Sequence, residues 1–382
     1  MHFPAALSLL LSALSLVVNA SPIRPADIKS NVAKGLRLLS LAEGTEPVWK
    51  TENEVFDLLR AGVKFFDVTE VYEDEQKYSS NEIKVKVAAL AFPTGPAYQS
   101  AVNPILATVS TTNMQSNLNT LAAFNNRYYK AATGASASTW IKDRIAGYIA
   151  TYSRPDVTVS LYAHSYVQSS IIAKIPGTNA AGAVTILGAH MDSINLSSPT
   201  SGRAPGADDD GTGSVNLIEA FRVLLAAGFK PTNPVEFHWY AAEEVGLLGS
   251  QAIATKYKSS GVNVKAFMQL DMSGYFKPGT NEVMALQADY IDTNLNTFLK
   301  TLITAYSRIP WAMDIPCGYA CSDHASWYKA GFPAAFPYEA ITGNDNPNIH
   351  KAGDTTSVSG FSWAHSLEFA KIAVAFVYEL AI

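Results

Sequence analysis

"GAVTILGAHMDSI", residues 182–194, begins as a strand and ends as something else. The run GAVTIL is what a strand buried on both faces requires. His190 and Asp192 then interrupt it, two positions apart. The same thing happens elsewhere in the chain. Glu243 and Glu244 follow the apolar run PVEFHWYAA, and Asp271 follows VKAFMQL. His350 lies in NPNIHKAGDT, after the run FPAAFPYEA and a loop, and Asp208, Asp209 and Asp210 precede a helix expected at 213–230. In open α/β sheets, ligands bind beyond the carboxyl ends of the strands. Groups far apart in sequence are therefore expected to meet in one crevice.

The elements around these points alternate. Residues 112–130, 135–153 and 363–380 read as helices, and 157–164, 170–177 and 183–190 as strands. The expected fold is α/β, with a central, mostly parallel mixed sheet flanked by helices.

So many carboxylates together repel and resist ionisation. A divalent metal reverses the sign of that interaction. Two histidines with several Asp and Glu, and no thiolate, suit zinc, and two ions sharing one carboxylate would neutralise the group. A helical H-E-x-x-H is absent, which argues against a single-zinc peptidase of that kind.

The chain has 382 residues and a net charge of −5, with no basic stripe to suggest nucleic acid. Residues 7–18, LSLLLSALSLVV, with small residues after them, read as a secretory signal peptide spanning 1–20. That run is too short to span a bilayer, so a secreted protein without a membrane anchor is expected. Residues 21–88 hold 10 Lys/Arg and 12 Asp/Glu, whereas 89–382 hold 39 charges in 294 positions. This drop, with the helical periodicity of 54–66, suggests that 21–88 is a propeptide, the alternative being a retained N-terminal subdomain, and that 89–382 is the main domain.

Six motifs now stand in order: GAHMDS, APGADDDGTGS, AAEEVGLLGS, QLDMSGY, CGYACSDHASW and NPNIH. Together they resemble the secreted di-zinc leucyl aminopeptidases of fungi and bacteria, over roughly residues 105–382, and EVFDLLRAGVKFFDVTE resembles the fungal propeptide. The resemblance implies the zinc-dependent exopeptidase fold and two Zn²⁺ per chain. One ion falls to His190 and Asp271 and the other to Glu244 and His350, with Asp209 bridging. It implies Glu243 as general base, Asp192 as the partner orienting the His190 ring, and Tyr319 as oxyanion support. An apolar first-residue pocket follows, built by Met272, Phe336, Tyr338 and Ile349, with Cys317, Tyr319 and Cys321 nearby. The expected partners are peptides with a free N-terminus, and the expected state is a monomer.

Cys317 and Cys321, the only cysteines, are expected to form a disulfide in a secreted chain. Asn195 heads an N-L-S sequon and is a candidate for glycosylation. His324 is the rival histidine; Ser322 and Asp323 before it look like a helix N-cap, so a structural role is expected. His164 and His238 read as sheet residues and His365 as a surface or packing residue. Two other functions compete. A glutaminyl cyclase on this fold would use one zinc, whereas the retained two-histidine, three-carboxylate set favours two. An inactive binding ectodomain would have lost Glu243 or a ligand, and neither is lost.

Overall fold

The computed structural model describes residues 23–80 and 91–382, with side chains of 78–80 left out. The expected signal peptide 1–20 and the expected propeptide boundary at 88 lie outside the described residues. No helix among them is long and apolar enough to cross a membrane.

In chain order the elements are α1 (Pro25–Ala33), β1 (Leu36–Ser40), β2 (Val48–Thr51), α2 (Glu52–Arg60), β3 (Phe66–Asp67), α3 (Tyr72–Ser80), α4 (Gln99–Leu106), α5 (Thr111–Leu121) and α6 (Ala132–Thr151). Then come β4 (Thr158–Tyr162), β5 (Ser170–Ile175), β6 (Val184–His190), α7 (Gly211–Ala226), β7 (Val235–Tyr240), α8 (Leu248–Ser259), β8 (Val264–Gln269) and β9 (Met284–Leu286). The chain closes with α9 (Thr293–Tyr306), β10 (Trp311–Met313), α10 (His324–Lys329), β11 (Ala334–Ala335), β12 (Pro337–Tyr338) and α11 (Trp363–Ala381).

Six strands form the central sheet in the order β11-β8-β6-β7-β5-β4. The first four are mutually parallel, and β5 and β4 add antiparallel to that edge. Every residue of β6 and β7 is buried, as their apolar runs require. Gly188 lets this centre close: a Cβ there would lie 2.5 Å from the Phe267 ring and 2.7 Å from the Tyr240 ring. All of α7 except Arg222 and Ala226 is buried, because the sheet covers one side and α5, α6 and α11 the other.

Two expectations need correction. Residues 112–130 are helical only to Leu121. The turn beyond holds Arg127, fully buried, whose guanidinium donates to the carbonyls of Met191 at 2.6 Å and Gly206 at 2.8 Å. A helix would point that charge elsewhere. The run 332–340 is not one strand: β11 joins the central sheet, and β12 pairs with β9 in a separate three-stranded sheet, β10-β9-β12.

The N-terminal segment is also more than helices. It carries an antiparallel sheet, β2-β1-β3, which helical periodicity concealed. Leu38, Phe66 and Val68 pack with Leu247, Ala320 and Ala325 of the main body. Asp67 N donates to Gly246 O at 3.0 Å, and Lys130–Glu52 and Lys329–Glu75 ion pairs clip the edges at 2.6 and 2.8 Å.

Candidate metal centre

Because β8, β6 and β7 are adjacent and parallel, their carboxyl ends open on one edge. That edge receives Asp271, His190 and the Glu243–Glu244 pair. Left-handed backbone occurs at Ala242 (φ 57°), Met272 (φ 53°) and His350 (φ 56°), each beside or at a site residue. Such conformations cost energy in non-glycine residues and persist where surrounding structure enforces them. The N-terminus of α7 comes in beneath. A Cβ at Gly213 would lie 2.3 Å from Leu270 O, so only glycine permits this approach.

Asp209 stands at the middle. Its Oδ1 is 3.0 Å from His190 Nε2, and its Oδ2 is 3.0 Å from His350 Nε2. His190 Nε2 is also 3.5 Å from Asp271 Oδ1, and His350 Nε2 is 2.9 Å from Glu244 Oε2. Two ligand groups result, His190–Asp209–Asp271 and Asp209–Glu244–His350, each with donor atoms within 4.8 Å of one another. Asp271 Oδ1 is buried and has no hydrogen-bond partner. An orphaned buried carboxylate oxygen facing a histidine is what a cation would satisfy. The residues therefore fit zinc. Glu243 stands slightly apart: its Oε2 is 4.0 Å from His190 Nε2, and its side chain lines the adjoining cleft.

The flanking groups fix these ligands. Asp210 caps α7 by accepting from Gly213 N at 2.8 Å; it also accepts from Met272 N and His190 N, both at 3.1 Å. It thereby ties three ligand-bearing segments together. Asp354 accepts from Asp208 N at 3.2 Å and Asp209 N at 3.1 Å, binding the His350 loop to the aspartate loop. Asp192 accepts from Glu243 N at 3.0 Å and Glu244 N at 3.2 Å. Its contact to His190 Nδ1 is longer, 3.4 Å, so its best-made bonds hold the glutamate pair. Ser322 donates to Asp271 Oδ2 at 2.6 Å.

Electrostatics agree with a cation site. Burial, then the charges of Asp323, Asp271 and Glu244, push Glu243 well above the carboxylate range against the pull of His190. Burial and the Asp209 charge push Glu244 up to about 7. Burial opposes ionisation of Asp209 too, but hydrogen bonds from His190 and His350 bring it well below its usual value. The unpaired negative charge seeks a positive partner.

Beside the cluster opens a cleft of about 210 Å³. Met272, Phe336, Tyr338, Ile349, Cys317 and Cys321, the residues named for the first-residue pocket, are among those lining it. Lys64, Gln287, Thr342 and Asp345 also line it and were not expected. Cys317 and Cys321 are disulfide-bonded. Tyr319 is not among the lining residues. Its hydroxyl meets Ser40 Oγ at 2.7 Å, and its ring packs edge-on against Phe66 at 5.1 Å, both in the N-terminal segment.

The other described histidines fall outside the cluster. His324 is fully buried, and neither ring nitrogen has a partner. Asp323 does not cap α10 with its side chain; Gln269 Nε2 donates to it at 3.2 Å. His164 pairs with Ser170 and His238 with Tyr240 and Glu236. His365 is buried, not superficial, between Glu282 and the Glu339 carbonyl. The Asn195 side chain is engaged in its own turn: Nδ2 donates to Arg203 O at 2.8 Å, and Oδ1 accepts from Ser197 N at 3.0 Å.

Comparison with known proteins adds the family. Residues 170–377 match Peptidase family M28. The chain is 41% identical over 382 residues to Leucine aminopeptidase 1 of Arthroderma gypseum, covering 97% of this chain and 99% of the relative. It is 40% identical, with the same coverage, to Leucine aminopeptidase 1 of Trichophyton rubrum. Among solved structures, the LapA aminopeptidase of Legionella pneumophila matches with a TM-score of 0.78 at 31% identity, covering 92% of this chain and 96% of that one. The chain belongs to peptidase family M28 and is a zinc aminopeptidase.

Proposed function

We propose that this is a secreted aminopeptidase working with two zinc ions, which removes Leu or another large apolar residue from the N-terminus of peptides. The observation that carries the reading is Asp209, whose two oxygens face different histidines. Two ligand groups joined through one carboxylate favour two ions over the single ion of a cyclase. His190 and Asp271 would hold one ion, and Glu244 and His350 the other, with Asp209 between them.

Zinc bound there supplies Lewis acidity, polarising the scissile carbonyl and acidifying the attacking water. Glu243 takes the proton from that water and hands it to the leaving amine. Met272, Phe336, Tyr338 and Ile349 receive the first side chain. The substrate's free α-amino group is drawn to the acidic end of the cleft, which confines cleavage to chain ends.

Residues 1–20 act as the signal peptide and 21–88 as a propeptide, making the full chain a zymogen. Two observations support the latter. Lys64 lines the cleft, and Ser40 engages the Tyr319 hydroxyl that would otherwise be available to the oxyanion. Asn195 remains a candidate for glycosylation: its amide donates to Arg203 O and keeps a second hydrogen, on a partly exposed turn.

The test is metal analysis of the secreted protein beside hydrolysis of Leu-anilide and N-acetyl-Leu-anilide. Two zinc ions per chain are expected, with rapid hydrolysis of the first substrate and none of the second. Comparable cleavage of the acetylated substrate would refute the aminopeptidase mechanism even with both metals present.

A further inference from the structure

The cleft beside the ligand cluster is not apolar throughout. Gln287, Thr342 and Asp345 share its lining. Asp314, buried behind them, decides what the first two can offer. Gln287 Nε2 donates to Asp314 Oδ2 at 2.6 Å, and Thr342 Oγ1 donates to the same oxygen at 2.9 Å. Thr342 N and Ile315 N hold Oδ1 at 2.9 and 2.8 Å. An ionised carboxylate only accepts, so both side chains must turn their donors toward it. Thr342 then has only lone pairs left for a ligand, while Gln287 keeps its Oε1 acceptor beside one remaining N–H. Gln287 is 1% exposed, and its Oε1 has no partner within the protein. Thr342 keeps its hydroxyl lone pairs. Asp345, whose Oδ1 accepts from Gly343 N at 2.6 Å, adds a third acceptor and a charge.

The charge balance points the same way. With all four ionised, Asp209, Glu244, Asp271 and Glu243 would carry four negative charges, which two divalent ions would offset. Asp345 is then the remaining charge in the cleft. Among the described residues Lys64 is the one lysine or arginine lining it, and it belongs to the segment proposed to leave on processing.

We infer that the processed cleft accepts, beside Leu-like residues, first side chains with an apolar stem and a donating, cationic tip, namely Lys and Arg. Met272, Phe336 and Ile349 cover the stem, as apolar walls do for long basic side chains elsewhere. Gln287, Thr342 and Asp345 meet the tip. The inference rests on the aminopeptidase reading and extends its substrate class.

The test uses the protein as secreted, with its N-terminal sequence determined, and anilides of Leu, norleucine, Lys and Arg. Norleucine reproduces the lysine stem without the ammonium. Lys and Arg anilides should be cleaved within about tenfold of norleucine, a narrow gap for a site that pairs the buried tip. Asp345→Asn should lower the Lys-to-norleucine ratio of kcat/KM at least about fivefold, and raising salt from about 0.05 to about 0.5 M should lower it too. Calorimetry with free lysine and norleucine should give the same order of change in binding. If Leu-anilide is cleaved and Lys-anilide is inert, the inference falls alone. If all four are inert, the aminopeptidase reading falls with it. A ratio indifferent to both Asp345→Asn and salt also overturns the inference, and the salt arm decides if the variant does not fold.

Discussion

Three successive aspartates do three different jobs. Asp209 faces both histidines, Asp210 gathers the ends of two strands onto the start of α7, and Asp208 accepts from Gly274 N at 2.9 Å and Asn346 Nδ2 at 3.0 Å. Asp354 completes the arrangement without reaching the ligand donor atoms. We expect Asp354→Ala to weaken zinc binding about 10–100-fold, the usual effect of losing a group that orients a ligand. Competition with a chromophoric chelator measures this, and an unchanged affinity would remove Asp354 from the positioning role. Glu243→Gln should keep two zinc ions and lose about 10²–10⁴-fold in turnover; turnover near the parent's value sinks its assignment as base. His190, Glu244 and Asp271 stood out as candidates because they follow apolar strands, whereas the ligand roles, and the choice of Asp209 among three aspartates, came from the resemblance. Asp354 did not stand out, because its partner Asp209 is 145 residues away and its own neighbourhood reads as a loop. His324 gives a prediction of another kind. Burial lowers its pKa from 6.5 to about 3. The folded state therefore refuses a proton that the unfolded chain accepts below about pH 6.5. Stability should fall as pH drops from about 6.5 toward 3, by up to about 1.4 kcal/mol per pH unit from this group. In His324→Leu, denaturant unfolding should lose part of that acid sensitivity; an identical pH profile would refute the cause.

At the scale of elements, periodicity served the long buried strands and failed the short ones. β6 and β7 announce themselves as continuous apolar runs. β9, β10, β11 and β12 have two or three residues each, too few for any period to register. The run 332–340 reads as one strand, yet its halves serve different sheets, with Phe336 between them turned to the cleft. The N-terminal segment was legible as a unit by charge, but its sheet was not, since β1 and β2 pair through backbone groups that composition does not reveal. Its hold on Tyr319 and its Lys64 in the cleft yield a testable consequence. The full chain should hydrolyse Leu-anilide at least about tenfold more slowly than the same chain cut near residue 88, because a tethered cover competes at high effective concentration. Equal rates before and after cleavage, with the fragment separated by gel filtration, would mean that the segment does not guard the site.

For the whole molecule, the metal cluster is an obligation as well as a tool. Asp209, Glu244, Asp271 and most of Glu243 are withdrawn from water, and the first three lie at the junction of β6, β8, α7 and the His350 loop. Without cations these groups repel, and burial with neighbouring charge raises the pKa values of Glu243 and Glu244. A ligand that binds only the folded state stabilises it in proportion to its saturation. Removing zinc should therefore lower the unfolding temperature as well as abolish activity, and the loss should shrink at acid pH, where the carboxylates and histidines bind protons in place of metal. Adding zinc back to the chelated protein separates a two-ion site from a one-ion site. Because Asp209 is common to both ligand groups, filling one should organise the other. Activity and melting temperature should both keep rising until two equivalents are bound. If both reach their maxima at one equivalent, the second ligand group, Asp209 with Glu244 and His350, does not work as a metal site.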